Sequence, residues 1–173
     1  MLFEGFTNVA MKLRGTGLKR VPGIEKVFNY IYNILEPSNC TKLIRVEDFN
    51  MFVDRRDLGD VSPSLIKRHI YHPQMTKTLR GLIRPNMTCV DVGANIGYFT
   101  IIMSTIVGES GQVYAFEPDG TNFSLLVRNL KLNGCNNVIP NMVAVSNVIG
   151  RANLYTDKIN FGGHSLVREG RIR

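Results

Sequence analysis

The chain has 173 residues, 44% of them apolar and 20% charged, with seven prolines; this balance supplies a core of ordinary domain size and excludes a disordered or fibrous protein. Lys and Arg outnumber Asp and Glu by 21 to 14, a net charge of +7, but the basic residues are scattered, densest over Lys12–Arg20 and Arg168–Arg173, and fit a solvated surface better than a nucleic-acid patch because no aromatic residues interleave with them. The three cysteines, Cys40, Cys89 and Cys135, form no CxxC pair and have no histidine at ligand spacing, which argues against a metal site or disulfide framework and for a reducing, cytoplasmic setting.

In chain order, Ile24, Val27, Phe28, Ile31 and Leu35 recur at helical spacing and predict an amphipathic helix ended by Pro37. Residues 41–54 alternate apolar and polar in two short runs around Glu47 and Asp48, the pattern of a β-hairpin. Met75, Leu79, Leu82 and Ile83 share one helical face between Pro73 and Ile83, with Arg84-Pro85-Asn86 as the stop. Met87–Val92 then reads as a strand, Asn95–Val107 as a helix and Gln112–Phe116 as a second strand. The apolar run Ile96–Val107 is too short for a membrane span, which needs about 20 residues, and the N-terminus lacks a signal-peptide core.

The order repeats with a helix over Thr121–Leu132, a turn at Asn133-Gly134 and a third strand within Val138–Val145, where Pro140 suggests a sheet edge. Arg151–Thr156 reads as one more strand and Asn160–Ser165 as a glycine-rich loop. The succession βαβαβ is the parallel half-sheet of a doubly wound α/β fold. It divides the chain into an N-terminal extension, residues 1–72, carrying the amphipathic helix and hairpin, and a Rossmann-like part, residues 73–173, that is the N-terminal half of its fold only.

Asp91 ends the first parallel strand, and Gly93 and Gly97 bracket the turn into the helix, so backbone can pass close to a ligand there. A dinucleotide fingerprint G-x-G-x-x-G is not met, because Asn95 and Tyr98 stand where its second and third glycines belong. S-adenosylmethionine (SAM) has no phosphates and suits the turn better: Asp91 meets its ammonium, and the backbone N–H groups of Gly93, Ala94 and Asn95 meet its carboxylate. Glu117 closes the second strand and accepts the ribose hydroxyls, a device shared with NAD enzymes. The competing reading makes the glycines a tight connection and Asp91 a helix cap; the second acid at Glu117 weighs against it.

Residues 87–166 resemble the FkbM family of SAM-dependent methyltransferases, whose motif of an acid followed by V-G-A-N-x-G-Y matches Asp91–Tyr98 residue for residue. Ala115-Phe116-Glu117-Pro118, Asn122-Phe123, Asn129-Leu130, Leu132-Asn133-Gly134 and Ala144-Val145-Ser146 agree further. The resemblance implies a class I, Rossmann-like methyltransferase acting on a hydroxyl of a sugar, glycan or other small molecule. It implies a cofactor site in which Asp91, Gly93 and Asn95 hold the methionine end, Glu117 the ribose, Pro118 and Asp119 the adenine rim, with Ala144 and Ser146 at the adenine edge. Two departures stand out: relatives continue to a fourth strand ending in an acidic D-V-E-G-like motif, so the sheet is expected to be truncated after its third strand, and His72 stands where many relatives carry a glutamate.

Ala94, Gly97 and Tyr98 complete the expected cofactor contacts. Of three histidines, His164 in the glycine-rich loop is the candidate general base, weighed against a plain surface histidine. His69 and His72 flank Tyr71 as either a helix entry or an aromatic lid. Beside the small-molecule O-methyltransferase stand a non-catalytic SAM-binding or protein-interaction module and, last, a nucleic-acid binder or modifier; nucleic acid is not expected as the partner. An unpaired first strand would favour a homo-oligomer through the exposed sheet edge.

Overall fold

A computed structural model describes residues 40–157 and 159–166, with isolated helical positions between Leu2 and Ile34. The chain divides into two compact units, Met1–Thr41 and Lys42–Arg173. In the first, Ile24, Val27 and Ile31 of the expected amphipathic helix are helical; Phe28, Leu35 and the stop at Pro37 lie outside the described residues, as do the basic runs at Lys12–Arg20 and Arg168–Arg173.

The second unit begins with the hairpin, β1 (Thr41–Val46) and β2 (Phe49–Asp54). Its alternation buries Ile44 and Val46 from one strand and Met51 and Val53 from the other, as the two-residue period of side chains requires. A helix the sequence reading did not anticipate follows, α1 (Val61–Arg68), ended by His69 in the left-handed region at φ 56. α2 (Pro73–Leu82) starts with proline in its first turn, where the missing N–H costs nothing.

β3 (Thr88–Val92), α3 (Tyr98–Val107), β4 (Gln112–Phe116), α4 (Gly120–Leu132) and β5 (Val138–Asn141) complete the expected βαβαβ order. The three strands form one parallel sheet in the order β3-β4-β5, so β5 with Pro140 is an edge and β3 is the other. Val113 and Ala115 are fully buried on one face, while Val90, Val92, Tyr114 and Ile139 are exposed on the other. In place of the strand expected over Arg151–Thr156 there is one antiparallel bridge, Tyr155 to Ser165.

Hairpin, α1 and the parallel sheet share one core, with Val46, Met51, Val53, Leu65, Ile101 and Leu126 in contact through it. The hairpin is fastened to α4 by amide side chains that stand where a neighbouring strand would. Asn129, fully buried, accepts from Phe52 N at 2.7 Å and donates to Phe52 O at 3.0 Å. Asn133 does the same with Asn50 N and O at 3.2 and 2.8 Å. These bonds satisfy backbone groups of β2 that would otherwise lack partners.

Candidate functional site

β3 brings Asp91 to the carboxyl end of the sheet beside Ala115 of β4. Three of the next six residues are left-handed: Gly93 at φ 77, Asn95 at φ 50 and Gly97 at φ 93. Asn tolerates that region better than most residues, which is how Asn95 fills a glycine position. A Cβ on Gly93 would meet nothing within 4 Å, whereas one on Gly97 would meet Leu126 Cδ1 at 2.7 Å. Gly93 thus leaves the turn open to a ligand, and Gly97 lets α4 pack close.

The backbone amides of the turn are engaged inside the protein. Gly93 N and Ala94 N both donate to Phe116 O, at 2.9 and 3.0 Å, and Asn95 N donates to Glu117 Oε2 at 2.8 Å. These bonds lock the turn onto β4. Asp91 is not a helix cap: α3 has Gly97 at its N-cap position with no side-chain cap. Asp91 Oδ2 accepts from the buried Thr100 hydroxyl at 2.6 Å. Burial raises the Asp91 carboxyl above the usual carboxylate range, and the Thr100 bond opposes that shift. Thr100 is a positioning residue the sequence reading passed over; its place nine residues on, one face of the helix above Asp91, was the available signal.

Glu117 is also buried, with Oε1 accepting from Asp119 N at 2.9 Å. Burial raises its carboxyl too, opposed by hydrogen bonds from the Asp119 and Asn95 amides. Asp119 caps α4 by accepting from Thr121 N and Asn122 N, both at 2.9 Å, and Pro118 is half-buried between the two acids. Ala144 and Ser146 lie in an exposed stretch beyond β5, where the Ser146 hydroxyl meets only Asn147 and Val148; the structure does not bring them to the other site residues.

A cleft of about 370 Å³ opens over the turn, with Asp91, Gly93, Ala94 and Asn95 as its floor and Tyr71, His72, Met75, Tyr98 and Phe99 among its walls. The aromatic wall is built edge to face: Tyr71 lies 4.3 Å from His72 and 6.0 Å from Tyr98, ring centre to ring centre. Burial raises the Tyr71 hydroxyl above its ordinary value, with Asp60 and Asp57 adding to the shift. The Tyr98 ring lines the cleft, but its hydroxyl points into the hairpin, 3.0 Å from Glu47 Oε2 and 3.1 Å from Thr76 Oγ1. His69 is placed elsewhere, its Nδ1 2.8 Å from Arg45 O.

His164 is not a wall of this cleft. Its side chain is 8% exposed, with Nε2 3.7 Å from Asp119 Oδ2, and Nδ1 accepts from Asp157 N at 3.0 Å. The amide fixes the proton on Nε2, facing Asp119. These contacts tie His164 into its own loop, away from the walls of the cleft. The same loop lays the Phe161 carbonyl on Asn95 Nδ2 at 3.2 Å and Asn122 Nδ2 at 2.9 Å.

Residues 66–165 match a family described as the TRM5/TYW2 methyltransferase domain. A curated relative, the tRNA(Phe) (4-demethylwyosine(37)-C(7)) aminocarboxypropyltransferase of Methanocaldococcus jannaschii, is 41% identical over 64 residues, which are 37% of this chain and 25% of the relative. The chain therefore spans about a quarter of that protein's length. Among solved structures, M. jannaschii TYW2 in complex with AdoMet is 27% identical, covering 64% of this chain and 46% of that one with a TM-score of 0.47. A complex of aTrm5 with tRNALeu is 22% identical over 65% of this chain and 30% of that one, with a TM-score of 0.49.

The family match and the curated relative carry the Rossmann-like methyltransferase domain expected from the sequence and place it in TRM5/TYW2, while membership of FkbM is not shown. They overturn two expectations, a sugar or other small-molecule hydroxyl as acceptor and nucleic acid as an unexpected partner, because the named relative modifies tRNA. The physical reason is plain: Asp91–Tyr98 and Glu117 describe how a nucleoside cofactor is held and say nothing about the acceptor. No helix among the described residues is long and apolar enough to cross a membrane.

Proposed function

The chain belongs to the TRM5/TYW2 methyltransferase domain family, and from that membership we propose that it binds SAM over the turn after β3 and directs transfer of its methyl group to a nucleotide of tRNA. The observation that carries the reading is the pair of buried carboxylates, Asp91 and Glu117, at the ends of adjacent parallel strands, with Gly93 between them leaving open space where a side chain would stand. The residues fit the cofactor: Asp91 faces the cleft and suits an ammonium, and Glu117 suits a ribose diol. Bound there, SAM supplies an electrophilic methyl on a sulfonium. The chain's own contribution is to hold and orient: Thr100 fixes Asp91, the Asn95 amide fixes Glu117, and Tyr71, Met75 and Phe99 wall the cleft, so that orientation supplies much of the rate.

The likeness of Asp91–Tyr98 to the FkbM motif is read as a likeness of the cofactor turn alone. For the acceptor, the tRNA named in the relative supports a polyanion, whose phosphates lysine and arginine neutralise. The test is transfer from methyl-labelled SAM to unmodified tRNA, with label expected in the RNA and none in sugars. Absence of label from tRNA under conditions where SAM binds would overturn the acceptor.

The curated relative favours a second reading, transfer of the aminocarboxypropyl group of SAM. SAM labelled at its carboxyl carbon separates the two: label reaching tRNA from that carbon, and not from the methyl, would replace the first reading by the second.

A further inference from the structure

The cleft floor reaches Asp91–Asn95 but does not include Glu117, which is 5% exposed. Bonded to the same turn is the segment 159–165, whose Gly162 lines the cleft. It is fastened almost wholly through main chain: Ile159 O accepts from Leu58 N at 2.8 Å, Phe161 N donates to Asp57 Oδ1 at 3.2 Å, and Phe161 O takes the Asn95 and Asn122 side-chain amides. Toward its far end, His164 Nδ1 accepts from Asp157 N at 3.0 Å, and Ser165 exchanges main-chain bonds with Tyr155 at 2.8 and 3.1 Å. Gly162 and Gly163 within it are exposed.

Asn122 is 1% exposed, yet its Oδ1 is the one buried side-chain polar atom without a hydrogen-bond partner among the described residues. A buried acceptor left unpaired is costly. The Phe161 carbonyl satisfies the two amide donors but has no proton to offer this acceptor. A hydroxyl in the same place would accept from Asn95 Nδ2 and Asn122 Nδ2 as the carbonyl does, and would also bring a proton to donate.

We propose that the Phe161 carbonyl holds the place of a ribose hydroxyl: the 159–165 segment is a strap that lifts when the cofactor's ribose takes over the Asn95 and Asn122 side chains, making Asn122 a ribose ligand beside Glu117. The proposal rests on the SAM reading above. The strap then taxes the apparent affinity for every ligand that carries a ribose, and spares one that does not.

The test is amide hydrogen exchange on the full chain, alone and with SAM, adenosine or adenine, together with binding titrations. SAM and adenosine should speed exchange of the 159–165 amides about tenfold, while adenine leaves them unchanged. His164→Ala, which loosens the strap, should tighten SAM about threefold, and Asn122→Ala should weaken it about tenfold without affecting adenine. SAM that binds with exchange in 159–165 unchanged or slowed would overturn the strap and leave the SAM reading standing. Failure of the folded chain to bind SAM would overturn both. The exchange measurement on the unaltered chain decides the matter even if Asn122→Ala does not fold.

Discussion

The backbone amide of Asn95 donates to Glu117 Oε2 at 2.8 Å, so the turn after β3 and the end of β4 are held by one buried carboxylate. The conformation that leaves Gly93 open thus depends on an acid on the neighbouring strand, and changes at either point are felt at both.

Burial raises the carboxyls of Asp91 and Glu117, and this fixes the sign of a pH effect. Between the unfolded and folded values the native chain holds more protons than the unfolded chain, so stability falls as pH rises. Their contribution is complete below the ordinary carboxylate value of about 4 and is lost as pH climbs through the raised folded values. In denaturant melts across that range, Asp91→Asn and Glu117→Gln should each flatten the decline relative to the unaltered chain. SAM affinity should move the other way, rising with pH as Asp91 ionises to meet the ammonium. Variants with the slope of the unaltered chain would refute the assignment.

Gly97 and Gly93 separate packing from access. Gly97→Ala forces a residue at φ 93 against Leu126 Cδ1 at 2.7 Å and should cost about 2–3 kcal/mol in a thermal or denaturant melt. Gly93→Ala meets only the backbone penalty, about 1 kcal/mol, but fills the space the cofactor needs. It should weaken SAM far more than it weakens the fold.

Asn129 joins α4 to β2 and, through its bond to Ile96 O at 2.8 Å, to the cofactor turn. Asn129→Leu leaves Phe52 N, Phe52 O and Ile96 O without their partner and should destabilise by about 3 kcal/mol. A loss below about 1 kcal/mol in chemical denaturation would show that the amide is dispensable.

Much of this fold is legible in the sequence because local patterns encode it. Alternation marks the hairpin, apolar runs with helical spacing mark the βαβαβ order, and Pro73 marks the start of α2. What escapes is long-range or weakly marked. α1 is eight residues long with no side-chain cap, and Pro63 interrupts its pattern. Asn129 and Asn133 reach backbone groups 77 and 83 residues away, which no window can foresee. The site is half legible: acids at strand ends announce a nucleoside, but the Gly93–Asn95 amides turn inward, His164 is pinned by the Asp157 amide, and Ala144 and Ser146 lie apart. The acceptor is illegible in the cofactor turn, because those residues face the cofactor alone.

Tyr98 tests the distinction between wall and ligand. Its hydroxyl serves Glu47 and Thr76, so Tyr98→Phe should cost about 1 kcal/mol of stability while SAM affinity stays within about twofold. A large loss of affinity with unchanged stability would return the hydroxyl to the cofactor.

Titration of SAM into the folded chain by calorimetry bears most directly on the site, run side by side with Asp91→Ala, Glu117→Ala and Tyr98→Phe. The expected result is saturable binding that each alanine variant weakens at least about tenfold, as loss of a charged hydrogen bond implies, with Tyr98→Phe close to the unaltered chain. A folded chain that gives no binding heat and no thermal stabilisation with SAM, or an Asp91→Ala variant that binds as well as the original, would contradict it.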